Sequence, residues 1–281
     1  MSGILYIVAT PIGNLDDLSL RAVKVLRDVS VIAAEDTRRT ATLLRAYEIP
    51  TSMTAYHEHS DDRCMRQLVD QLKAGSSIAL VSDAGTPAIS DPGYKLVRAV
   101  QDAGVQIVPI PGPCAAITAI SCSGVASDHF FFEGFLPAKA GARRHRLEEL
   151  RDLAHTTVFY EAPHRLNDTL TAMLAVYGAE REVALARELT KTFETIKRAP
   201  LAELLTWVCE DANQERGEIV LIVSSQRERP ANSITPEIAD LLTALAQSYP
   251  ARKAAKLLSP VVDIRTSDLY DFLLDQKQHK S

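Results

Sequence analysis

Four carboxylates lie where they could act as general bases. Each comes at or just beyond the end of an apolar run, and they are Glu35, Asp36, Glu161 and Glu188. A carboxylate at the end of a strand can take a proton from a hydroxyl group that reacts in the adjoining loops. The alternative for each one is a role as half of a structural ion pair, so the sequence leaves the base unassigned.

Two loops combine flexible residues with polar side chains. Val81-Ser82-Asp83-Ala84-Gly85-Thr86-Pro87 places a carboxylate, hydroxyl groups and a glycine at the end of an apolar run. Thr10-Pro11-Ile12-Gly13-Asn14-Leu15 follows the first apolar run, and its glycine permits a tight turn or a close backbone approach. Such loops can bind a polar ligand through backbone groups. Plain turns, with Asp83 as a cap, would give the same pattern.

Two further segments favour structural interpretations. Ser90-Asp91-Pro92-Gly93 is typical of a helix start, with Asp91 as the cap and Pro92 in the first turn. Residues 108–116 contain three prolines followed by small residues, which predicts a stiff strand exit that runs into a helix. A packed linker between domains would have the same composition.

Residues 138–151 hold a local excess of basic side chains. The segment contains Lys139, Arg143, Arg144, His145, Arg146 and Arg151 against Glu148 and Glu149. In a chain with a net charge of -5, such a local excess favours contact with the phosphates of RNA. One alternative is a solvated helix face with Arg–Glu pairs at helical spacing, and another is a patch that contacts a tetrapyrrole with many carboxylates. Other candidate RNA contacts near predicted strand ends are Arg38, His164, Arg165 and Lys191.

The composition is that of an ordinary folded protein, with 281 residues of which 46% are hydrophobic and 24% charged. No apolar run reaches the roughly 18 residues that span a bilayer, and the N-terminus lacks signal-peptide features, so a cytoplasmic protein is expected. The four cysteines form no Cys-x-x-Cys pair. His57 and His59 flank Glu58 without a third ligand at matching spacing, so no metal site is expected.

Alternating strands and helices must position these residues. Nine runs predict strands: Ile4–Ala9, Val29–Ala34, Ile78–Ser82, Gln106–Ile110, Phe130–Gly134, Thr157–Tyr160, Val183–Arg187, Thr192–Lys197 and Glu218–Ser224. Amphipathic segments between them predict helices at Ser19–Arg27, Asp62–Ala74, Gly93–Ala103 and Arg165–Tyr177. This alternation indicates an α/β fold, in which ligands bind beyond the carboxyl ends of the strands.

The chain divides into three predicted parts. We expect an N-terminal α/β lobe at residues 1–113, a second α/β lobe at 114–226 and a small helical domain at 234–281. The polar segment 226–233 reads as a linker. Three short helices are predicted in the tail, with Pro236 in a first turn after Thr235 and Ser267 as the last cap. They are compatible with a helix-turn-helix-like module, a packing lid or a dimer arm.

Eight motifs, in order, carry a resemblance to a known family. They are the segments 6–15 (YIVATPIGNL), 33–38 (AAEDTR), 80–87 (LVSDAGTP), 109–116 (PIPGPCAA), 133–137 (EGFLP), 159–161 (FYE), 186–191 (ARELTK) and 217–220 (GEIV). The chain resembles the ribosomal RNA small-subunit methyltransferase I family, a branch of the tetrapyrrole methylase superfamily. The resemblance covers nearly the whole length, and the tail is similar to that family's small helix-turn-helix-like domain.

The resemblance implies a two-lobed α/β fold, usually a homodimer, that holds S-adenosylmethionine in the cleft between its lobes. The implied activity is 2'-O-methylation of a cytidine ribose in the decoding region of small-subunit (16S) rRNA. No metal and no membrane is implied. By motif position, the implied contacts to the methyl donor are Pro11, Asp83, Thr86, Cys114, Ala115, Glu161, Leu189 and Glu218.

Two other functions stay open. One is a small-molecule methyltransferase that acts on a corrin-type tetrapyrrole. The other is a ribosome-assembly protein that keeps the fold but does not catalyse methyl transfer. The first loop disfavours the former, because it reads Thr-Pro-Ile-Gly-Asn-Leu where tetrapyrrole enzymes typically have Gly-x-Gly-Pro-Gly. Retention of every donor-loop motif disfavours the latter.

Overall fold

The computed structural model describes residues 2–57, 62–225, 234–262 and 264–278. The chain divides into two compact units, residues 1–224 and 225–281. None of the described helices is long and apolar enough to cross a bilayer. The first unit contains two five-stranded sheets within the described residues, and the second contains helices.

The first sheet is parallel throughout. Its strands are β1 (Ile4–Val8), β2 (Val31–Ala34), β3 (Met53–Ala55), β4 (Ile78–Val81) and β5 (Gln106–Ile110), in the order β3-β2-β4-β1-β5. Every residue of β4 is buried because helices cover both faces of the sheet. These helices are α1 (Leu20–Asp28) and α2 (Thr37–Ala46) on one face, and α3 (Asp62–Lys73) and α4 (Tyr94–Asp102) on the other. The loops after β1, β2, β4 and β5 therefore meet at one edge.

The second sheet is mixed. Its strands are β6 (Phe130–Phe135), β7 (Thr156–Glu161), β8 (Glu182–Arg187), β9 (Thr195–Pro200) and β10 (Ile219–Val223), in the order β6-β7-β10-β8-β9. Helix α5 (Ala115–Cys122) covers one face. The other face packs against α6 (Ala140–Leu150), α7 (Leu166–Tyr177) and α8 (Leu201–Glu210).

The direction of β10 decides which carboxylates come together. It is antiparallel to both β7 and β8, so Ile219 at its start pairs with Glu161 at the end of β7 and with Arg187 at the end of β8. Glu188 and Glu218 follow at the same edge of the second sheet. Residues far apart in sequence therefore lie side by side, because β10 is antiparallel to both of its neighbours.

All nine predicted strands are present, and so are the four predicted helices of the first unit. The prediction for residues 192–197 began three residues early, since β9 starts at Thr195. Strand β3 and helices α2 and α8 were not predicted. Strand β3 has three residues, too few for a periodic pattern, and α2 buries little more than Leu43 and Leu44.

The second unit holds three helices within the described residues. They are α9 (Pro236–Ser248), α10 (Ala251–Val262) and α11 (Thr266–Gln278), and they pack around Leu242, Leu258 and Leu269. Pro236 lies in the first turn of α9 after Thr235, as predicted, and the Thr235 side chain caps the helix. Ser267 is not a cap, because α11 already begins at Thr266. The predicted linker at 226–233 and the pair Glu58 and His59 lie outside the described residues.

Candidate active site

A cavity of about 330 Å³ opens between the meeting edges of the two sheets. We call it the main cavity. From the first sheet and the loop that leaves it come Ile12, Ala84, Gly85, Thr86, Ile89, Ser90, Asp91, Cys114 and Ala115. From the second sheet come Phe135, Tyr160, Glu161, Ala162, Pro163, Ala186, Leu189, Gly217, Glu218, Ile219 and Val220. Its walls are mostly apolar with a few acidic groups, as expected of a small-molecule site.

Hydrogen bonds tie the loops around the main cavity to each other. Thr10 and Gly85 exchange two backbone hydrogen bonds of 2.9 and 3.0 Å, which join the loop after β1 to the loop after β4. The Thr86 hydroxyl donates to the carbonyl of Pro113 at 2.9 Å and so holds the loop after β5. Three loops of the first sheet are thereby fixed before any ligand binds.

Gly13 permits a close approach, but of another loop of the protein. A Cβ at this position would lie 2.5 Å from Lys191 Cγ and 2.8 Å from the carbonyl oxygen of Leu189. The neighbouring Asn14 amide donates to Thr190 Oγ1 at 3.0 Å. The loop after β1 therefore seats directly on the loop after β8 and closes one side of the main cavity.

Glu188 forms an ion-pair cluster with Lys191 and Glu218. Its Oε1 accepts hydrogen bonds from Lys191 Nζ at 2.8 Å and from the Glu218 amide at 2.9 Å. Lys191 Nζ also lies 3.1 Å from Glu218 Oε2. Burial acts to raise the pKa of Glu188, but the bonds from Lys191 and Glu218 outweigh it and lower that pKa. A carboxylate held in its ionised form by two donors is a weak proton acceptor.

Glu161 is turned away from solvent, and its side chain is fully buried. One oxygen accepts from the hydroxyl of Thr169 at 2.6 Å, and the other accepts from the Ala162 amide at 2.8 Å. Arg165 lies 3.4 Å away and donates to the carbonyls of Leu136 and Pro137. Glu161 and Arg165 together fix the end of β7, where Tyr160 lines the main cavity.

Glu35, Asp36 and Asp83 join the ends of two adjacent strands. Asp83 Oδ1 accepts from the Asp36 amide at 2.9 Å, and Glu35 Oε2 accepts from the Asp83 amide at 3.2 Å. Asp83 also lies 3.4 Å from Arg39. Burial raises the pKa of Glu35. Hydrogen bonds from Arg38 lower the pKa of Asp36 to about 2, which leaves it a poor base near neutral pH.

Asp91 is not the helix cap that the sequence indicated. Helix α4 begins after Gly93, whose φ is 144°, and none of the side chains that the structure describes caps it. Asp91 instead lines the main cavity, and the Ser82 hydroxyl lies within hydrogen-bonding reach of its carboxylate. Burial raises the pKa of Asp91 to about 6, and the nearby charges of Glu35 and Asp83 add to the effect. Sequence reasoning missed this residue because Asp-Pro is so common at helix starts.

A second cavity of about 400 Å³ adjoins the main cavity. Among the described residues it is lined by Glu35, Tyr56, His57, Asp62, Met65, Ser90, Asp91, Pro92, Gly93, Tyr94 and Lys95. Ser90 and Asp91 line both cavities. The two spaces therefore share a wall that consists of one short loop.

Six of the eight residues predicted to contact the methyl donor line the main cavity, and Pro11 and Asp83 do not. Pro11 precedes the lining residue Ile12, and Asp83 uses its carboxylate to hold Asp36. The structure therefore places these two beside the main cavity rather than in its wall.

The predicted basic patch is less available than its sequence indicated. Arg143 is buried, and it points to the Ala138 carbonyl and to Asp168. Arg146 makes a bidentate pair with Glu133 at 2.7 Å and also pairs with Glu149. Arg144 and His145 are exposed but lie 2.9 and 3.3 Å from the carboxylates of Glu148 and Glu149. Lys139 is exposed at the start of α6.

The remaining predicted RNA contacts differ in exposure. Arg38 is largely exposed and pairs with Asp36 at 2.9 Å, and His164 is exposed in the turn before α7. Arg165 and Lys191 are occupied by the structural contacts described above. Among the described residues, no group of three or more His, Cys, Asp or Glu side chains has the geometry of a metal site.

Two solved structures illustrate the likeness of this fold to known proteins. Uroporphyrin-III C-methyltransferase from Thermus thermophilus gives a TM-score of 0.57 over 79% of this chain and 94% of its own, at 18% identity. Cobalt precorrin-4 methyltransferase gives 0.60 over the same shares, at 15% identity. At these identities the likeness concerns the fold. The class that the fold and the cavity define is an α/β protein with two sheets and a ligand-sized cavity between their edges.

Sequence comparison narrows this class. The model of the tetrapyrrole (corrin/porphyrin) methylases matches residues 4–205. A Vibrio cholerae protein named ribosomal RNA small subunit methyltransferase I is 52% identical over 97% of this chain and 94% of its own length. The Pseudomonas aeruginosa protein of that name is 49% identical over 100% and 99%. This chain belongs to the ribosomal RNA small subunit methyltransferase I family, within the tetrapyrrole methylases.

The methyl donor of this enzyme is S-adenosylmethionine, and the main cavity suits it. The volume lies within the roughly 300–1,000 Å³ of small-molecule sites. Ile12, Leu189 and Ile219 offer apolar surface to an adenine ring, and the carboxylates of Asp91 and Glu218 suit a ligand that carries positive charge. Gly85 and Gly217 line the main cavity and have positive φ, which favours glycine, and a Cβ on Gly217 would lie 2.3 Å from Glu188 Cδ.

Proposed function

We propose that this protein transfers a methyl group from S-adenosylmethionine to the ribose 2'-hydroxyl of a cytidine in the decoding region of 16S rRNA. The observation that carries the proposal is the pair of adjoining cavities that share the loop at Ser90 and Asp91. One suits the donor, and the other opens beside it for an acceptor. The names of the full-length relatives supply the substrate class.

The donor supplies a methyl carbon activated by a positively charged sulfur, so the reaction needs no metal and no acid. The protein's own task is to align the acceptor oxygen with that carbon, and orientation of this kind can supply roughly 7–11 kcal/mol of the barrier. The fixed loops around Thr10, Gly85 and Thr86 hold the donor side rigid. The acceptor hydroxyl is a weak acid, so a nearby proton acceptor would contribute about 10²–10⁴-fold.

The donor contacts that we propose are the residues predicted from motif position that line the main cavity: Thr86, Cys114, Ala115, Glu161, Leu189 and Glu218. Glu161 contributes through the backbone it orients, because its carboxylate is engaged by Thr169. Pro11 and Asp83 act indirectly. Pro11 fixes the backbone just before Ile12, which lines the main cavity. Asp83 holds the end of β2 against β4 through its hydrogen bond with the Asp36 amide.

For RNA contact we propose Lys139, Arg144, Arg38 and His164, which are exposed. Arg144 and Arg38 would exchange their present carboxylate partners for phosphate, at little cost because exposed ion pairs contribute only about 0–1 kcal/mol. Arg143, Arg146, Arg165 and Lys191 are left out, because each is buried or held by several structural contacts.

The relatives disfavour the tetrapyrrole alternative. Two that match nearly the whole chain, at 52% and 49% identity, carry the name ribosomal RNA small subunit methyltransferase I. An assembly protein without catalysis is disfavoured by the open main cavity, which apolar side chains would fill if no donor had to bind.

We further propose that the protein acts on the small subunit in the cytoplasm as a homodimer. The proposed lobes are residues 1–113 and 114–226, with a helical domain at 234–281. Each lobe carries one sheet and the helices packed on it.

The test is methylation of small ribosomal subunits with radiolabelled donor. Subunits from a strain that lacks the gene should accept label, and the label should appear in a nuclease-resistant dinucleotide, because 2'-O-methylation blocks cleavage there. Subunits from the parent strain are the matched control and should accept little. Label confined to a base, or transfer to a corrin precursor but not to subunits, would contradict the proposal.

A further inference from the structure

Asp91 holds a position that no other described carboxylate shares. The carboxylates of the main cavity wall are Asp91, Glu161 and Glu218, and those of the second cavity wall are Glu35, Asp62 and Asp91. Asp91 alone among the described carboxylates borders both spaces. A group that takes a proton from an acceptor must stand at this boundary, where the donor and the acceptor meet.

The other candidate bases are already engaged. Glu188 is clamped by Lys191 and by the Glu218 amide, and Asp36 is held by Arg38. Glu161 accepts from Thr169 and is buried. Glu35 accepts from the Asp83 amide and borders only the second cavity. Asp91 has the Ser82 hydroxyl within reach as a partner and is half-buried at the cavity wall.

The loop that carries Asp91 is built to hold it in place. Ala88 and Ser90 both adopt left-handed backbone conformations, with φ of 69° and 60°, which cost energy for residues with a side chain. The Ile89 amide donates to the Thr86 carbonyl, and Gly134 of β6 passes close to Ser90 Oγ. Contacts on both sides therefore fix the direction in which the next residue projects.

We propose that Asp91 is the catalytic base that accepts the proton of the acceptor hydroxyl, and that the second cavity receives the acceptor nucleotide. This inference rests on the proposed ribose methylation. The acceptor oxygen forms a bond to the methyl carbon while the carbon–sulfur bond breaks, and that bond's electron pair goes to sulfur. The hydroxyl proton goes to the Asp91 carboxylate and from there to water. A methyl ether and a neutral thioether result.

The surroundings suit a base that works near neutral pH. The pKa of Asp91 is raised to about 6, so the carboxylate is ionised at pH 7 yet binds a proton readily. Tyr160, whose own pKa is raised by burial, faces Asp91 from β7. The other titratable groups around it are Glu35, His57, Asp62, Asp83, Tyr94 and Lys95.

The experiment compares the wild type, Asp91→Asn and Asp102→Asn. The last removes an exposed carboxylate at the far end of helix α4 and is the matched control. With subunits that lack the methyl group, Asp91→Asn should lower kcat by about 10²–10⁴-fold. The KM for subunits, and the Kd for donor from calorimetry, should change by less than about threefold. Asp102→Asn should match the wild type in all three.

The pH profile supplies a second measurement. The wild-type kcat should rise with pH and level off above about 6, and Asp91→Asn should lose this rise. Formate should restore part of the rate of Asp91→Ala, since a small carboxylate can enter the vacated space. A residue that merely supports the loop would show neither effect.

The outcomes separate the two proposals. No transfer by the wild type would overturn the proposed function itself. Transfer by the wild type with a kcat for Asp91→Asn within threefold of it would overturn only the role of Asp91. A parallel loss of donor affinity in Asp91→Asn would also overturn it, because Asp91 would then act by shaping the main cavity. If Asp91→Asn does not fold, a wild-type profile that is flat between pH 5 and 8 decides against the proposal.

Discussion

Replacement of Asp91 by Asn should change how the stability of the protein depends on pH. The carboxyl has a pKa of about 6 in the folded protein and 3.8 as a free reference group. Between these values the folded state binds a proton that the unfolded chain has released. The contribution of Asp91 to stability is therefore complete below about pH 4 and is lost as pH rises through about 6. Asn cannot ionise, so it should not show this loss.

The magnitude follows from the difference between the two pKa values. From 3.8 to about 6 is about two units, and one unit corresponds to about 1.4 kcal/mol, which gives an upper figure of about 3 kcal/mol. The carboxyl is partly exposed, so water screens part of this cost. Relative to the wild type, we expect Asp91→Asn to gain about 1–2 kcal/mol of unfolding free energy between pH 4 and pH 7.5.

The assay is urea unfolding of the first unit at half-unit steps from pH 4 to 8, followed by a tryptophan signal from Trp207 in helix α8. The difference in unfolding free energy between Asp91→Asn and the wild type should grow with pH and level off above about pH 6.5. Asp102→Asn is again the control. A difference that stays constant with pH would refute the claim that Asp91 bears a raised pKa, and would remove one support for its role as a base.

Three further predictions concern the site and its surroundings. Gly217→Ala should weaken donor binding at least about tenfold, because the new Cβ would lie 2.3 Å from Glu188 Cδ. Gly178→Ala is the control, since Gly178 has a similar φ but open space around it. Equal Kd values for the donor in calorimetry would contradict the argument. Thr169→Val should lower the unfolding free energy by about 1–3 kcal/mol, because Oε2 of the buried Glu161 side chain would lose the hydrogen bond from the Thr169 hydroxyl. Exposed Thr206→Val should change it by less than about 0.5 kcal/mol, and equal urea midpoints for the two variants would count against the argument. The double variant Lys139→Ala, Arg144→Ala should bind subunits more weakly, and its slope of log affinity against log salt concentration should be shallower by about one to two units. Replacement of the exposed Lys73 by Ala should leave both unchanged. An unchanged slope in the double variant would remove this patch from the RNA interface.

Residues of the site could be predicted where a motif follows a strand. They could not be predicted where contacts with distant side chains decide what a residue does. Thr86, Cys114 and Leu189 line the main cavity as their loop positions suggested. Arg143 could not be judged from sequence, because helical spacing alone does not say which face is covered. Leu147 and Leu150 turn that face inward, and Arg143 is buried with them. Asp91 was assigned to a cap because the sequence could not show that Gly93 would start the helix.

The sequence by itself determined the alternation of strands and helices, the loops that carry polar groups and the family, because apolar periodicity and ordered motifs are local properties of the chain. Only the tertiary structure decided which carboxylates meet. Strand β10 runs antiparallel between β7 and β8 and so brings Glu161, Glu188 and Glu218 to one edge. It also left Asp91 at the wall between two cavities. Strand direction and burial depend on contacts between distant segments, so local sequence patterns do not determine them.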